Sequence, residues 1–133
     1  MTTILPNENG EHTVEIDDGR GWTPVCRYQD LVPGRGIAVL VGSRGDQVAV
    51  FRERGGAVHA LANRDPFSGV HVISRGLLGS RAGVPVVISP MHKQAFDLRT
   101  GRCLDEDRPS DGSPAALRVW PVRVVAAVPA EVC

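Results

Sequence analysis

The three cysteines, Cys26, Cys103 and Cys133, could in principle form disulfides, bind a metal ion or act as nucleophiles. Their number is odd and no two of them form a Cys-x-x-Cys pair. They therefore fit neither a disulfide framework nor a structural zinc site. Free thiols in a cytoplasmic protein are the simplest interpretation.

Asp65 and Ser89 are a second set of chemically capable residues, read as a catalytic acid and a hydroxyl nucleophile. A serine nucleophile needs an adjacent general base, and no base lies at a recognisable spacing from Ser89. Asp65 precedes Pro66, which is typical of an Asx-type turn. The sequence thus favours a turn-forming role for Asp65 over a catalytic one.

The elements that must position these residues are short strands. Apolar runs separated by Gly-rich turns predict an all-β antiparallel sandwich or barrel. The predicted strands are 21–26, 37–41, 47–52, 57–61, 84–88 and 117–125, with one helical turn over 28–32. Residues 63–81 predict a loop-rich insertion with a short helical turn. The stretch 89–104 predicts loop, strand, tight turn and strand, and Pro121 predicts an edge or a bulge.

Composition limits the classes of function and of architecture. The 133 residues are the size of one domain. The formal charge is zero and no basic run occurs, which argues against nucleic-acid binding. No apolar run suits a signal peptide or a membrane span, so we expect neither. The polar, uneven composition of residues 1–20 predicts a flexible N-terminal tail with His12 exposed, and residues 129–133 are interpreted as a C-terminal tail. His59, in an alternating run, is expected to face solvent or a sheet edge.

The second loop carries a family resemblance. The sequence SPMHKQAFDLRTG resembles the second cluster-binding loop of a Rieske domain, Cys-Pro-x-His-Gly-x-x-Phe-Asp-x-x-Thr-Gly. Ser89 stands at the cysteine position and His92 at the histidine position. The scaffold residues match at their offsets, namely Phe96, Asp97, Thr100 and Gly101.

The first loop is equally altered. Rieske centres bind a [2Fe–2S] cluster through two cysteines and two histidines. The first-loop motif, Cys-x-His, aligns with Asp65 and Phe67. With Ser89 in the second loop, three of the four ligand positions hold residues that do not bind such a cluster. The resemblance therefore implies a Rieske-like fold over 21–128, with about 62–100 as the cluster-loop-like subdomain, and no cluster.

The two degenerate loops together resemble the small subunits of assimilatory NAD(P)H-dependent nitrite reductases, over roughly Trp22 to Val125. The resemblance implies a partner, the large catalytic subunit, which carries FAD, sirohaem and a [4Fe–4S] centre. The present chain would bind no cofactor and would not be catalytic alone. It would support the six-electron reduction of nitrite to ammonium in nitrate assimilation.

Several alternatives stay open. His92 is interpreted as a hydrogen-bonding loop residue, and otherwise as a ligand with Asp65 in a mononuclear metal site; His71 could approach it. Phe67 and Met91 either fill the space of the absent cluster or expose an apolar patch to a partner. The candidate partner interface is Phe67, Met91, His92 and Lys93. The rival functions are a Rieske-type ferredoxin electron carrier and a stand-alone protein-interaction module.

Overall fold

The computed structural model describes residues 11–91, 93–105 and 115–126. Its strands are β1 (His12–Asp17), β2 (Trp22–Arg27), β3 (Gly36–Val41), β4 (Asp46–Arg52), β5 (Val58–Ala62), β6 (Leu77–Arg81), β7 (Val84–Ile88), β8 (Ala95–Asp97) and β9 (Val122–Ala126). Two single-turn 3-10 helices, Tyr28–Asp30 and Ile73–Arg75, are the only helices of the described residues. Neither is long enough to cross a bilayer.

The strands form three antiparallel sheets of three strands each. Their orders are β2-β1-β9, β3-β4-β5 and β6-β7-β8. One buried cluster joins the first and second sheets, and another joins the second and third. The all-β antiparallel architecture predicted from the sequence is confirmed.

β4 is buried on both of its faces. Val48 and Val50 belong to the cluster shared with the first sheet, whereas Ala49 and Phe51 belong to the cluster shared with the third. Successive side chains of a strand point to opposite faces. A strand that is covered on both faces therefore has a continuous apolar sequence instead of an alternating one. The run Val48–Phe51 has this property, and it places the second sheet between the two clusters.

The prediction of a flexible tail over residues 1–20 is wrong for residues 12–17. These residues form β1, the middle strand of the first sheet, paired with β2 and β9. His12, Val14 and Ile16 are buried at alternate positions, so His12 is not the exposed histidine expected. The intervening Glu15 and Asp17 made the segment look polar. Residues 1–10 and 129–133 lie outside the described residues.

The predicted loop-rich insertion over 63–81 is also partly wrong. Its short helical turn is present as Ile73–Arg75, but residues 77–81 form β6. The turn that joins β6 to β7 is Ala82-Gly83, and both residues have positive φ, 52° and 82°. Such a two-residue turn is the preferred connection of a β-hairpin. Because Gly and Ser interrupt β6, its strand character is weak in the sequence.

Pro121 divides the predicted last strand. Before it, the backbone pairs with β5 through the N–H of Ala62, which donates to the carbonyl of Arg118, and through the N–H of Trp120, which donates to the carbonyl of Ala60. After it, β9 pairs with β1. Pro121 thus marks the point where the chain passes from the second sheet to the first. The return strand predicted after β8 is present, within the described residues, only as isolated bridges, one of them between Phe96 and Cys103.

Candidate functional site

The first loop is folded around the side chain of Asp65, which is completely buried. Its Oδ1 accepts hydrogen bonds from the backbone N–H groups of Phe67, at 2.8 Å, and Ser68, at 3.3 Å. Its carbonyl accepts from the N–H of Gly69 at 2.7 Å, and Gly69 has a φ of +77°. This is the Asx-type turn that the sequence predicts.

The second loop is folded around Ser89, which is also completely buried. Its N–H donates to the carbonyl of Gln94 at 2.9 Å, and its carbonyl accepts from the N–H of Lys93 at 3.0 Å. The N–H of Met91 donates to Ser89 Oγ at 3.3 Å. Lys93 has a φ of +62°, a conformation that is uncommon for residues other than glycine. The loop is therefore a tight, internally bonded turn.

Asp65 and Ser89 are in direct contact. Ser89 Oγ donates a hydrogen bond of 2.5 Å to Asp65 Oδ2, across 24 positions of sequence. Hydrogen bonds to a carboxylate are shorter and stronger than those between neutral groups. The buried carboxylate thereby has a donor at each oxygen, which offsets the cost of removing it from water. The residues at the two cysteine positions of a Rieske centre thus connect the two loops.

This pair lacks the features of a hydrolytic site. A serine is activated when a neighbouring base takes its proton, and the base is itself oriented by a third group. Ser89 donates straight to a carboxylate, with no histidine between them. Both side chains are fully buried, so a substrate has no access to the hydroxyl. The geometry is that of a structural contact.

Phe67 and Met91 have different environments. Phe67 is half-buried and packs against the cluster of the second and third sheets. Its ring lies 6.3 Å from that of Phe96, tilted by 50°, within the range of favourable aromatic pairs. Met91 is 46% exposed, and Lys93 is exposed next to it. The sequence left two interpretations open for these apolar residues, filling of the core or exposure to a partner. The first applies to Phe67 and the second to Met91. His92 lies outside the described residues.

The side chains at these positions do not fit a [2Fe–2S] cluster. Such a cluster needs thiolates on one iron and imidazoles on the other. Asp65 and Ser89 are hydrogen-bonded to each other, and Phe67 is packed in the core. Across the described ranges, no group of three or more His, Cys, Asp or Glu residues could hold a metal ion.

The cysteines lie away from the loops. Cys103 is buried in the cluster of the second and third sheets. Cys26 lies in β2, where burial, and secondarily the charge of Asp30, raise the pKa of its thiol to about 11. A thiol with a raised pKa is a poor nucleophile and a poor ligand at neutral pH. Cys133 lies outside the described residues.

Sequence reasoning missed the residues that anchor the first loop. Asn63 is buried; its Nδ2 donates to Gln47 Oε1 at 3.1 Å, and its Oδ1 accepts from the N–H of Ser74 at 2.7 Å. It therefore fixes the start of the loop to β4 and to the second 3-10 helix. The available signal was an amide residue directly after a strand, before a turn.

Asp97 and Asp105 hold the strand that follows the second loop. Asp97 accepts from the backbone N–H of Arg99 at 2.8 Å. Burial acts to raise the pKa of Asp97, but the hydrogen bonds and charge of Arg99 together hold that pKa below its usual value. Asp105 accepts from Arg81 and from the N–H of Ala95. These two bonds, that from Arg81 above all, lower the pKa of Asp105.

Gly101 lies at a close approach between the chain and a neighbouring segment. Its φ is +78°, and a Cβ atom placed on it would lie 1.9 Å from the carbonyl oxygen of Leu117. The N–H of Leu117 donates to the Gly101 carbonyl at 2.7 Å. Only glycine fits this position, because both the conformation and the contact exclude a side chain.

Comparison with known proteins gives a consistent set of relatives. Residues 21–128 match the family of Rieske-like [2Fe-2S] domains. The protein named nitrite reductase (NADH) small subunit from Salmonella typhimurium is 40% identical over 88 residues, which are 65% of this chain and 80% of that protein. A crystal structure from Mycobacterium tuberculosis, named as an NADH-dependent nitrite reductase small subunit, is 44% identical with a TM-score of 0.68; the match covers 82% of this chain and 96% of that one.

A further relative differs in length. The protein named nitrite reductase [NAD(P)H] large subunit from Klebsiella oxytoca is 43% identical over 105 residues. Those residues are 79% of this chain and 10% of that protein. The present chain therefore spans one tenth of this relative.

Proposed function

This chain belongs to the family of Rieske-like [2Fe-2S] domains and, within it, to the nitrite reductase small subunits, and on that premise we propose that it is the non-catalytic small subunit of an NAD(P)H-dependent nitrite reductase. It supports the six-electron reduction of nitrite to ammonium by a large subunit. The family resemblance implies that FAD, sirohaem and [4Fe–4S] are bound by that large subunit and that none of them is bound by this chain.

The hydrogen bond between Ser89 and Asp65 is the observation that carries the non-redox part of the proposal. Two buried side chains that are hydrogen-bonded to each other occupy both cysteine positions. An electron-carrying Rieske ferredoxin needs thiolates at these two positions. The residues at these two positions thus favour an accessory subunit over a ferredoxin.

The Klebsiella relative supports a direct association with the large subunit. There, a sequence like this chain is part of a polypeptide that bears the name of the large subunit. Two units joined in one chain are held close together, which suits domains that work on the same reaction. Met91 and Lys93, exposed at the tip of the second loop, are a candidate contact together with Phe67 and His92.

We place this subunit in the cytoplasm. Among the described residues, neither Cys26 nor Cys103 is in a disulfide, as is usual in a reducing compartment. The folded unit that we propose begins at β1 and not at residue 21, because β1 is the central strand of its sheet.

Two measurements test the proposal. Iron and acid-labile sulfide are measured on the chain expressed alone, and we expect a folded, colourless protein without either. The chain is then co-expressed with the large subunit of the same organism, and nitrite-dependent NAD(P)H oxidation is compared with and without it. Stoichiometric iron and sulfide would establish an electron carrier instead. Failure of the two chains to co-purify, with activity unaffected by this chain, would overturn the subunit assignment.

A further inference from the structure

β6 is one of the two edge strands of the third sheet. It pairs with β7 on one side, and the sheet order β6-β7-β8 leaves its other side without a strand. Within the described ranges, no backbone group of residues 77–81 bonds to anything outside this sheet. An open strand edge is a template for pairing with another extended chain.

The hairpin turn determines which groups face the open side. A two-residue turn with positive φ at both positions is closed by a hydrogen-bonded pair, here Arg81 and Val84. Bonded and non-bonded pairs alternate along an antiparallel ladder. Leu78 and Ser80 are therefore in non-bonded pairs, and their N–H and C=O groups point away from β7. The partner of Ser80 is Pro85, which has no N–H to offer and so agrees with this register.

Two clefts flank β6. One, of about 390 Å³, lies between β6 and the turn at 53–55, and the backbone of Gly34 contributes to its wall. The other, of about 410 Å³, lies between residues 34–36 and 74–77 and also includes Gly34. Leu77, in the second cleft, is 72% exposed. The clefts thus leave space for another segment beside the open edge, and Leu77 offers that segment an exposed apolar side chain to contact.

The charges that line these clefts are mainly positive. They include Arg35, Arg54 and Arg75, all exposed. None of the three makes an ion pair with the described residues. The acidic side chain there, Glu53, already bonds to the buried His59. Carboxylates on an incoming segment would therefore complement the surface.

We propose that the free edge of β6 takes up an extended, carboxylate-bearing segment of the large subunit as a fourth strand of the third sheet. Main-chain bonds to Leu78 and Ser80 supply the pairing. Arg35, Arg54 and Arg75 select acidic side chains, and Leu77 is covered on binding. The inference rests on the proposed function, because that function supplies the partner.

Amide hydrogen exchange of the full chain, free and in complex with the co-expressed large subunit, tests the inference. The amides of Leu78 and Ser80 should exchange rapidly in the free chain and slowly in the complex. Those of Leu77 and Gly79, which bond to β7, should be protected in both. Unchanged exchange at Leu78 and Ser80 in a complex that does form would overturn the inference and leave the proposed function intact.

Two variants add an affinity test by titration of the large subunit. Ser80→Pro removes an outward N–H without removing a bond to β7, and proline is tolerated at such edge positions. The double variant Arg35→Glu/Arg75→Glu reverses the cleft charge. We expect each to weaken binding about tenfold or more, while Arg44→Glu, an exposed arginine away from β6, leaves it within about twofold.

The other outcomes are distinct. If wild-type chain does not bind the large subunit, both the proposed function and the inference fail. If these variants bind normally and Met91→Ala/Lys93→Glu does not, the tip of the second loop is the contact and the inference fails. If Ser80→Pro abolishes a dimer of this chain and has no effect on the large subunit, β6 pairs with a second copy, which also overturns it. Thermal unfolding of each variant checks that it is folded.

Discussion

Ser89 Oγ lies 2.5 Å from Asp65 Oδ2, and this hydrogen bond joins the two loops that a Rieske protein joins through its cluster. The carboxylate also accepts two backbone N–H bonds in its own loop. One buried side chain thus organises the first loop and attaches it to the second. The fold retains the arrangement of the loops while the ligands have been replaced.

Removal of this contact should destabilise the chain. We expect Ser89→Ala to lower the free energy of unfolding by about 1–3 kcal/mol, since it leaves a buried acceptor short of a donor. Asp65→Ala should cost more, because three donors lose their partner. A double-mutant cycle in urea should give a coupling energy of about 1 kcal/mol or more. Ser43→Ala, on an exposed turn, is the control; additive effects at Asp65 and Ser89 would argue against the bond.

Gly101→Ala should be strongly destabilising because a Cβ atom would meet the Leu117 carbonyl. Gly45→Ala is the matched control: Gly45 also has a positive φ, +69°, but no atom within 4 Å of its Cβ position. The control should lose about 1–2 kcal/mol of unfolding free energy from backbone strain alone. Gly101→Ala should lose at least about 2 kcal/mol more by urea denaturation. Equal losses would show that the close approach is absent.

Phe67 and Met91 should respond differently to truncation. Phe67→Ala removes a half-buried ring from the core and should cost about 1–3 kcal/mol, below the full value for a completely buried phenylalanine. Met91→Ala should change the unfolding free energy by less than about 0.5 kcal/mol, as for other surface positions. Chemical denaturation with fluorescence or circular dichroism measures both. A large loss for Met91→Ala would indicate that this side chain is packed.

The stability of the chain should fall in acid. Asp97 and Asp105 have lowered pKa values in the folded state. Their stabilisation is complete above the pKa of the unfolded chain, about 3.9, and is lost as the pH falls through the lower folded values. Asp97→Asn and Asp105→Asn should therefore be less stable than wild type at pH 7, and the difference should shrink by pH 2.5. A difference independent of pH would contradict the linkage.

The sequence was sufficient for the parts of the fold whose pattern is local. The apolar run of β4 and the tight turn after β8 are patterns of this kind, and both are present. β1 was missed because two of its six side chains, Glu15 and Asp17, are charged, and because its burial depends on pairing with β9, which is distant in sequence. His59 was expected at a surface or sheet edge, but it is buried against Glu53.

The candidate site was likewise predictable from the sequence only where its structure depends on local residues. The turn at Asp65 follows from its own sequence, Asp-Pro before Gly. The contact with Ser89 depends on how two loops approach in three dimensions, and no local signal encodes that approach. The different environments of Phe67 and Met91 were likewise not predictable, because both are apolar residues in loops and only the position of Phe96 separates them.

The pairing of β1 with β9 has a consequence for synthesis of the chain. Since β1 precedes β9 in the chain with seven strands between them, the central strand of that sheet is synthesised well before one of its two neighbours. Contacts between distant segments close slowly and raise the folding barrier. Val14 and Ile16 therefore lack their β9 neighbours until that strand is made, and we expect the nascent chain to be bound during this interval by chaperones that shield apolar segments.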